Sequence, residues 1–103
     1  MLDFLKNLVS PGPKTDYKEL VANGAQIVDV RTKGEYQSGH LKGSVNIPLQ
    51  VLPQNLSKIR KDKPVIVCCA SGMRSGSAKG ILSSNGYAEV YNGGSWNSLQ
   101  SQL

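Results

Sequence analysis

Histidine and cysteine are scarce in this chain of 103 residues, which has one His, His40, and two Cys, the adjacent Cys68 and Cys69. With a single histidine and no Cys-x-x-Cys spacing, a four-ligand zinc site cannot be assembled from one chain in the usual way. Neighbouring residues of an extended strand point to opposite faces, so a structural disulfide between the two cysteines is not expected either. They read as reduced thiols. No run of about eighteen apolar residues is present, so no transmembrane segment is expected. The stretch Met1 to Val9 fails as a signal peptide, because Asp3 and Lys6 interrupt the apolar run and no small-residue cleavage site follows. A cytoplasmic location is the expectation. There is no internal repeat and no low-complexity tract.

Acidic residues are the scarcer charge: seven Asp and Glu face twelve Lys and Arg, for a net +5. The dense basic run Lys58, Arg60, Lys61 and Lys63 has no interleaved aromatic on which a base could stack. It reads as a solvated helix end and turn, and no nucleic-acid partner is expected. An overall positive field still speeds the arrival of small anions. The length suits one compact domain and is too short for two, and 39% hydrophobic residues suffice for one core.

Leu2, Leu5 and Leu8, with Phe4 and Val9, fit one face of a short N-terminal helix, and Pro11-Gly12-Pro13 reads as a stiff linker. Residues 1–14 are thus set apart from a domain over 15–103. Asp16 with Glu19 opens a helix that stops at Asn23-Gly24. Gln26 to Val30 is a β-branched strand, and Thr32 with Glu35 opens a second helix ending near Ser38-Gly39. Val45 to Ile47 form a very short strand. Leu52, Leu56 and Ile59 have helical spacing, with Pro53 expected in the first turn. Pro64 to Cys68 is apolar on both faces, as in the middle of a parallel sheet covered on both sides. A helix follows from about Ser75 to Asn85, then a strand at Glu89 to Tyr91, a tight turn at Gly93-Gly94, and a last helix capped by Ser95 with Trp96 and Leu99 inward. Strands alternating with helices imply right-handed crossovers and a three-layer α/β domain.

In open α/β sheets ligands bind beyond the carboxyl ends of the strands. Cys69 falls there, between the central apolar strand and a helix. Backbone N–H groups of the loop and first helical turn converge at such a point, and the helix dipole adds partial positive charge. Arg74 adds a cation. A thiol in that field loses its proton readily. Gly72 permits a backbone conformation closed to other residues. Ala70 and Ser71 leave the pocket wide, Ser71 and Ser75 offer hydroxyls, and Met73 shapes an apolar lip. A cysteine at a strand end is usually a small core residue, and Cys68 fits that description. For Cys69 the glycine, arginine and helix start favour a reactive thiol beside a small-anion site.

The stretch Val65 to Ser75 resembles the active-site strand and loop of rhodanese-like domains. The resemblance extends through Ile27-Val28-Asp29-Val30-Arg31, Glu35-Tyr36, Gly39 to Ser44, Asn46-Ile47-Pro48, and Gly93-Gly94 with Trp96, about residues 15 to 100. It implies an open, mainly parallel five-stranded sheet with helices on both faces. It also implies sulfur transfer through a persulfide on Cys69, with residues Ala70, Ser71, Gly72, Met73, Arg74 and Ser75 holding the substrate. The donor would be a small anion such as thiosulfate and the acceptor cyanide, a thiol or a sulfur-relay protein. Sulfur itself is the group carried, so the resemblance implies no cofactor and no metal. One departure is Cys68, at a position often aromatic in the family.

Two rivals remain at this point. Counted from Cys68, five residues precede Arg74, which is the spacing of cysteine-dependent phosphatases and arsenate reductases. Counted from Cys69, four precede it, which matches the shorter sulfur-transfer loop, and Val67 stands where those phosphatases carry histidine. A non-catalytic binding module is the other rival, and the retained cysteine, glycine and arginine speak against it. His40 is expected to serve a structural turn. Asp29 is expected to tie loops together, Arg31 to do so or to meet substrate, and Trp96 to pack in the core.

Overall fold

Alternation of apolar side chains along two adjacent strands organises the domain. The computed structural model describes residues 15–103; the expected N-terminal helix and linker over 1–14 lie outside the described residues. In chain order the elements are α1 (Tyr17–Ala22), β1 (Gln26–Asp29), α2 (Lys33–Gln37), β2 (Val45–Asn46), two 3₁₀ segments (Leu49–Gln54 and Leu56–Lys58), β3 (Val65–Cys69), α3 (Met73–Ser84), β4 (Val90–Ser95) and α4 (Trp96–Gln100). All strand pairs are parallel, in the order β2-β1-β3-β4.

Among the described residues the sheet has four strands, where the family resemblance implied five. The sequence pattern offers only four strand segments in this span, and each of them forms a strand. β3 is buried at every position and sits between two neighbours. Its odd-numbered residues Val65, Val67 and Cys69 join Val28, Val30, Leu52, Ala78 and Leu82 on one face. Its even-numbered residues Ile66 and Cys68 join Ile27, Leu41 and Leu99 on the other. The period of two thus sends the adjacent cysteines into different cores.

Local signals set most boundaries. The Asp16 carboxylate accepts the Glu19 N–H at 3.0 Å at the start of α1, and Thr32 and Glu35 form a reciprocal capping box on α2. Ser95 caps α4 by accepting the Ser98 N–H at 3.2 Å.

Three expectations are corrected. The helix expected over Leu52 to Ile59 is two 3₁₀ segments, with Pro53 near the end of the first. Its bonds run from residue i to i−3, as in Asn55 N–H to Leu52 O and Ile59 N–H to Leu56 O. Proline lacks an N–H and clashes with an α-helical turn, and the tighter pattern accommodates it. Gly93-Gly94 is not a tight turn but part of β4, at a bulge where β3 advances from Val67 to Cys69 while β4 advances from Asn92 to Ser95. A side chain at Gly93 would meet Ile66 at 3.0 Å and the Val67 carbonyl at 3.1 Å, so the close approach of the strands requires glycine. The helix after β3 begins at Met73, two residues before the expected start.

Candidate active site

β3 delivers Cys69 to the carboxyl edge of the sheet as its final residue, one position further along the strand than its pattern suggested. The chain then turns through exposed Ala70 and Ser71. At Gly72 the backbone takes φ +101°, a left-handed conformation that favours glycine, and α3 begins. This reversal aims amide groups back at the sulfur. The Gly72 N–H donates to Cys69 Sγ at 2.9 Å and the Ser75 N–H at 3.4 Å. The Ser75 hydroxyl lies 3.4 Å from the same sulfur and is fully buried.

Burial pushes the Cys69 thiol up, but the Ser75 hydroxyl and the Ser75, Gly72 and Ser71 amides together outweigh it and hold the pKa below the ordinary thiol value. Hydrogen bonds to the charged form favour ionisation, and a cluster of amides at a helix start supplies them. The sulfur has no accessible surface in this arrangement.

Cys68 has the opposite environment. Burial, the Asp29 carboxylate and Cys69 push its thiol up to about 12, against a smaller downward pull from Arg31. It packs with Ile27, Leu41, Ile66 and Leu99, away from the loop. At neutral pH it is a protonated core residue.

Arg74 differs from the expectation that it would neutralise anionic charge within the loop. Its guanidinium makes a bidentate pair with Glu35, Nη1 to Oε1 at 2.7 Å and Nη2 to Oε2 at 2.9 Å. Arg74 and then the Thr32 backbone hold the Glu35 carboxyl down to about 2. Arg74 therefore anchors α3 to α2, and the polarisation of Cys69 comes from amides and a hydroxyl. Met73 is 82% exposed at the lip of the loop. Of the residues expected at the site, Cys69, Gly72 and Ser75 meet at the sulfur, with the Ser71 amide contributing; Ala70 and Met73 face solvent.

The residues assigned to structure behave as such. Asp29 and Arg31 are buried and paired at 2.7 Å. Arg31 also donates to the Glu35 and Gly39 carbonyls and lies 5.0 Å over the Trp96 ring. These contacts tie Arg31 to β1 and to the segment after α2. His40 stacks on Tyr36 at 3.8 Å and its Nδ1 donates to the Tyr36 carbonyl. Trp96 is half-buried against the core that holds Cys68.

Asn92 was not among the expected site residues. Its Oδ1 accepts the Ser75 hydroxyl at 2.6 Å and the Gly94 N–H at 2.9 Å, and its Nδ2 donates to the Gly72 carbonyl at 3.2 Å. Its pairing opposite Val67 brings it to that face of the sheet, and no local signal in the chain marks it. Glu35 was read as a helix cap; its second role arises across 39 residues of chain.

A family model for the rhodanese-like domain matches residues 14–102. The chain belongs to the rhodanese-like family. Among the proteins it resembles, thiosulfate sulfurtransferase PspE of Escherichia coli is 42% identical over 69 residues, which cover 65% of this chain and 66% of that protein. The Bacillus subtilis protein YqhL, itself uncharacterised, is 47% identical over 68 residues, covering 66% of this chain and 54% of that protein. The chain thus spans between about half and two thirds of the length of these curated relatives. A solved structure described as rhodanese with anions from E. coli superposes with a TM-score of 0.69 at 36% identity, covering 73% of this chain and 91% of that one. The chain has the rhodanese fold, a parallel sheet with flanking helices. No helix among the described residues is long and apolar enough to cross a membrane, and no group of three or more metal-ligating side chains occurs among them.

Proposed function

We propose that this rhodanese-like domain is a sulfurtransferase that carries sulfane sulfur as a persulfide on Cys69. The observation that carries the reading is the contrast at the end of β3. The Cys69 sulfur receives amide hydrogens from Gly72 and Ser75, and the neighbouring thiol is held protonated in the core.

The Cys69 thiolate attacks the outer sulfur of a donor such as thiosulfate. A Cys69 Sγ–S bond forms, the S–S bond of thiosulfate breaks, and sulfite leaves with its electron pair. The terminal persulfide sulfur then lies among the loop amides, which stabilise its negative charge. A thiophilic acceptor, cyanide or a thiolate, attacks that sulfur, takes it away and returns Cys69 as thiolate. The net positive charge of the chain favours anionic donors. PspE, named a thiosulfate sulfurtransferase, supports thiosulfate as the first donor to try.

A phosphatase acting through Cys68 is disfavoured, because that thiol faces the core behind the loop and Arg74 is held by Glu35 rather than directed at an anion. The test is thiocyanate formation from thiosulfate and cyanide, with phosphate-ester hydrolysis measured in parallel. Thiocyanate production lost on Cys69→Ser and kept on Cys68→Ser is the expected result. Hydrolysis that depends on Cys68, without thiocyanate formation, overturns the proposal.

A further inference from the structure

The Ser75 hydroxyl has two claimants for one proton. Its oxygen lies 3.4 Å from Cys69 Sγ and 2.6 Å from Asn92 Oδ1. A hydroxyl donates a single hydrogen. The Asn92 amide cannot turn to resolve the conflict, because both of its ends are engaged. The Gly94 N–H requires an acceptor at Oδ1 and the Gly72 carbonyl requires a donor at Nδ2. Oδ1 therefore faces Ser75. With Cys69 protonated, the thiol donates to Ser75 Oγ and the hydroxyl donates onward to Asn92.

We propose that Asn92 is a positioning residue that draws the Ser75 hydroxyl proton away from the sulfur while Cys69 is a thiol and yields it once the sulfur is charged. In the charged state the hydroxyl turns toward Sγ, and Asn92 Oδ1 keeps only the Gly94 N–H. The network engages the hydroxyl with Asn92 while Cys69 is a thiol and supplies a donor to the sulfur as charge develops. This inference rests on the reading of Cys69 as the nucleophile. The titratable group near that sulfur from α3 is Arg74; Cys68, its chain neighbour on β3, faces the other core. Asn92 and Ser95, which β4 brings alongside, do not titrate.

The experiment measures the alkylation rate of Cys69 against pH, assigned by peptide mass spectrometry, in the full chain and in Asn92→Ala, Ser75→Ala and the double variant. Asn92→Ala frees the hydroxyl for the sulfur and lowers the midpoint by about half to one unit; Ser75→Ala removes the donor and raises it by about one unit. In the Ser75→Ala background, Asn92→Ala leaves the midpoint where it is. A shift of the same size with and without Ser75 means that Asn92 acts only by tethering the loop and overturns the proposal, as does an unchanged midpoint in Asn92→Ala. If Asn92→Ala does not fold, the side-chain amide resonances of Asn92 are followed by NMR in the unmodified protein and in Ser75→Ala. They are expected to titrate with Cys69 only when Ser75 is present, and titration without Ser75 contradicts the proposal. Alkylation needs no sulfur donor, so these results are separate from thiocyanate formation. A coupled midpoint without turnover removes the sulfurtransferase reading and leaves the network intact.

Discussion

Cys68 and Cys69 share a peptide bond yet belong to opposite halves of the domain. Cys68 looks into the core formed with Ile27, Leu41 and Leu99, beside the buried Asp29–Arg31 pair that ties β1 to the turn before β2. That half is closed: its buried Asp29 and Arg31 are paired and its one thiol is held protonated. Cys69 looks toward α3, where the Gly72 reversal turns amides inward. Both sulfurs are shielded from solvent, so exposure does not distinguish them. The difference is the supply of hydrogen-bond donors, which makes burial raise one thiol and leaves the other below its ordinary value.

The sharpest way to break this comparison is differential alkylation. Cys69 is expected to react on the order of a thousandfold faster than Cys68 near neutral pH, since thiolate is the reactive species. Its rate rises with pH about a midpoint below the ordinary thiol pKa of 9.0. Equal rates read by peptide mass spectrometry contradict the account.

Next in size is the closed half. Asp29→Ala leaves the buried Arg31 guanidinium without its partner, and a loss of about 3–5 kcal/mol in denaturant unfolding is expected. The side chains of this pair are 0% and 5% exposed, so solvent screening does little to soften the loss. Cys68→Ala removes only a small apolar group from the same core and costs about 1 kcal/mol, with sulfur transfer retained.

The smallest effect belongs to the Arg74–Glu35 pair, whose side chains are each 36% exposed. The folded Glu35 carboxyl is held down to about 2 from 4.5, so its stabilisation is present above 4.5 and is lost as pH falls from there toward 2. Acid unfolding titrations of Glu35→Gln are expected to lack that component. The difference at neutral pH shrinks with added salt. A salt-independent loss as large as that of Asp29→Ala would mean that Arg74 holds the active loop and not merely the helix start.

The strand-loop-helix carrying Cys69 was legible because its signals are local: an apolar strand, a glycine where the chain reverses, and polar residues at the helix start. The opposed cysteines followed from the period of two. Asn92 and the second role of Glu35 were not legible, because both depend on contacts between distant segments. Asn92 reaches Ser75 through the parallel pairing of β3 and β4, which sets it opposite Val67. Arg74 was read as a cation for the site because its place in the loop is visible in the chain and its partner is not. Leu52, Leu56 and Ile59 have the spacing of an α-helix, while Pro53 and the short runs on either side favour the tighter 3₁₀ turn.

The measurement that bears most directly on the central claim is the intact mass and peptide map after incubation with thiosulfate. The account predicts a gain of one sulfur atom, about 32 Da, carried by the peptide at Cys69, removed by cyanide, lost in Cys69→Ser and kept in Cys68→Ser. An adduct on Cys68, or one that survives Cys69→Ser, would contradict it.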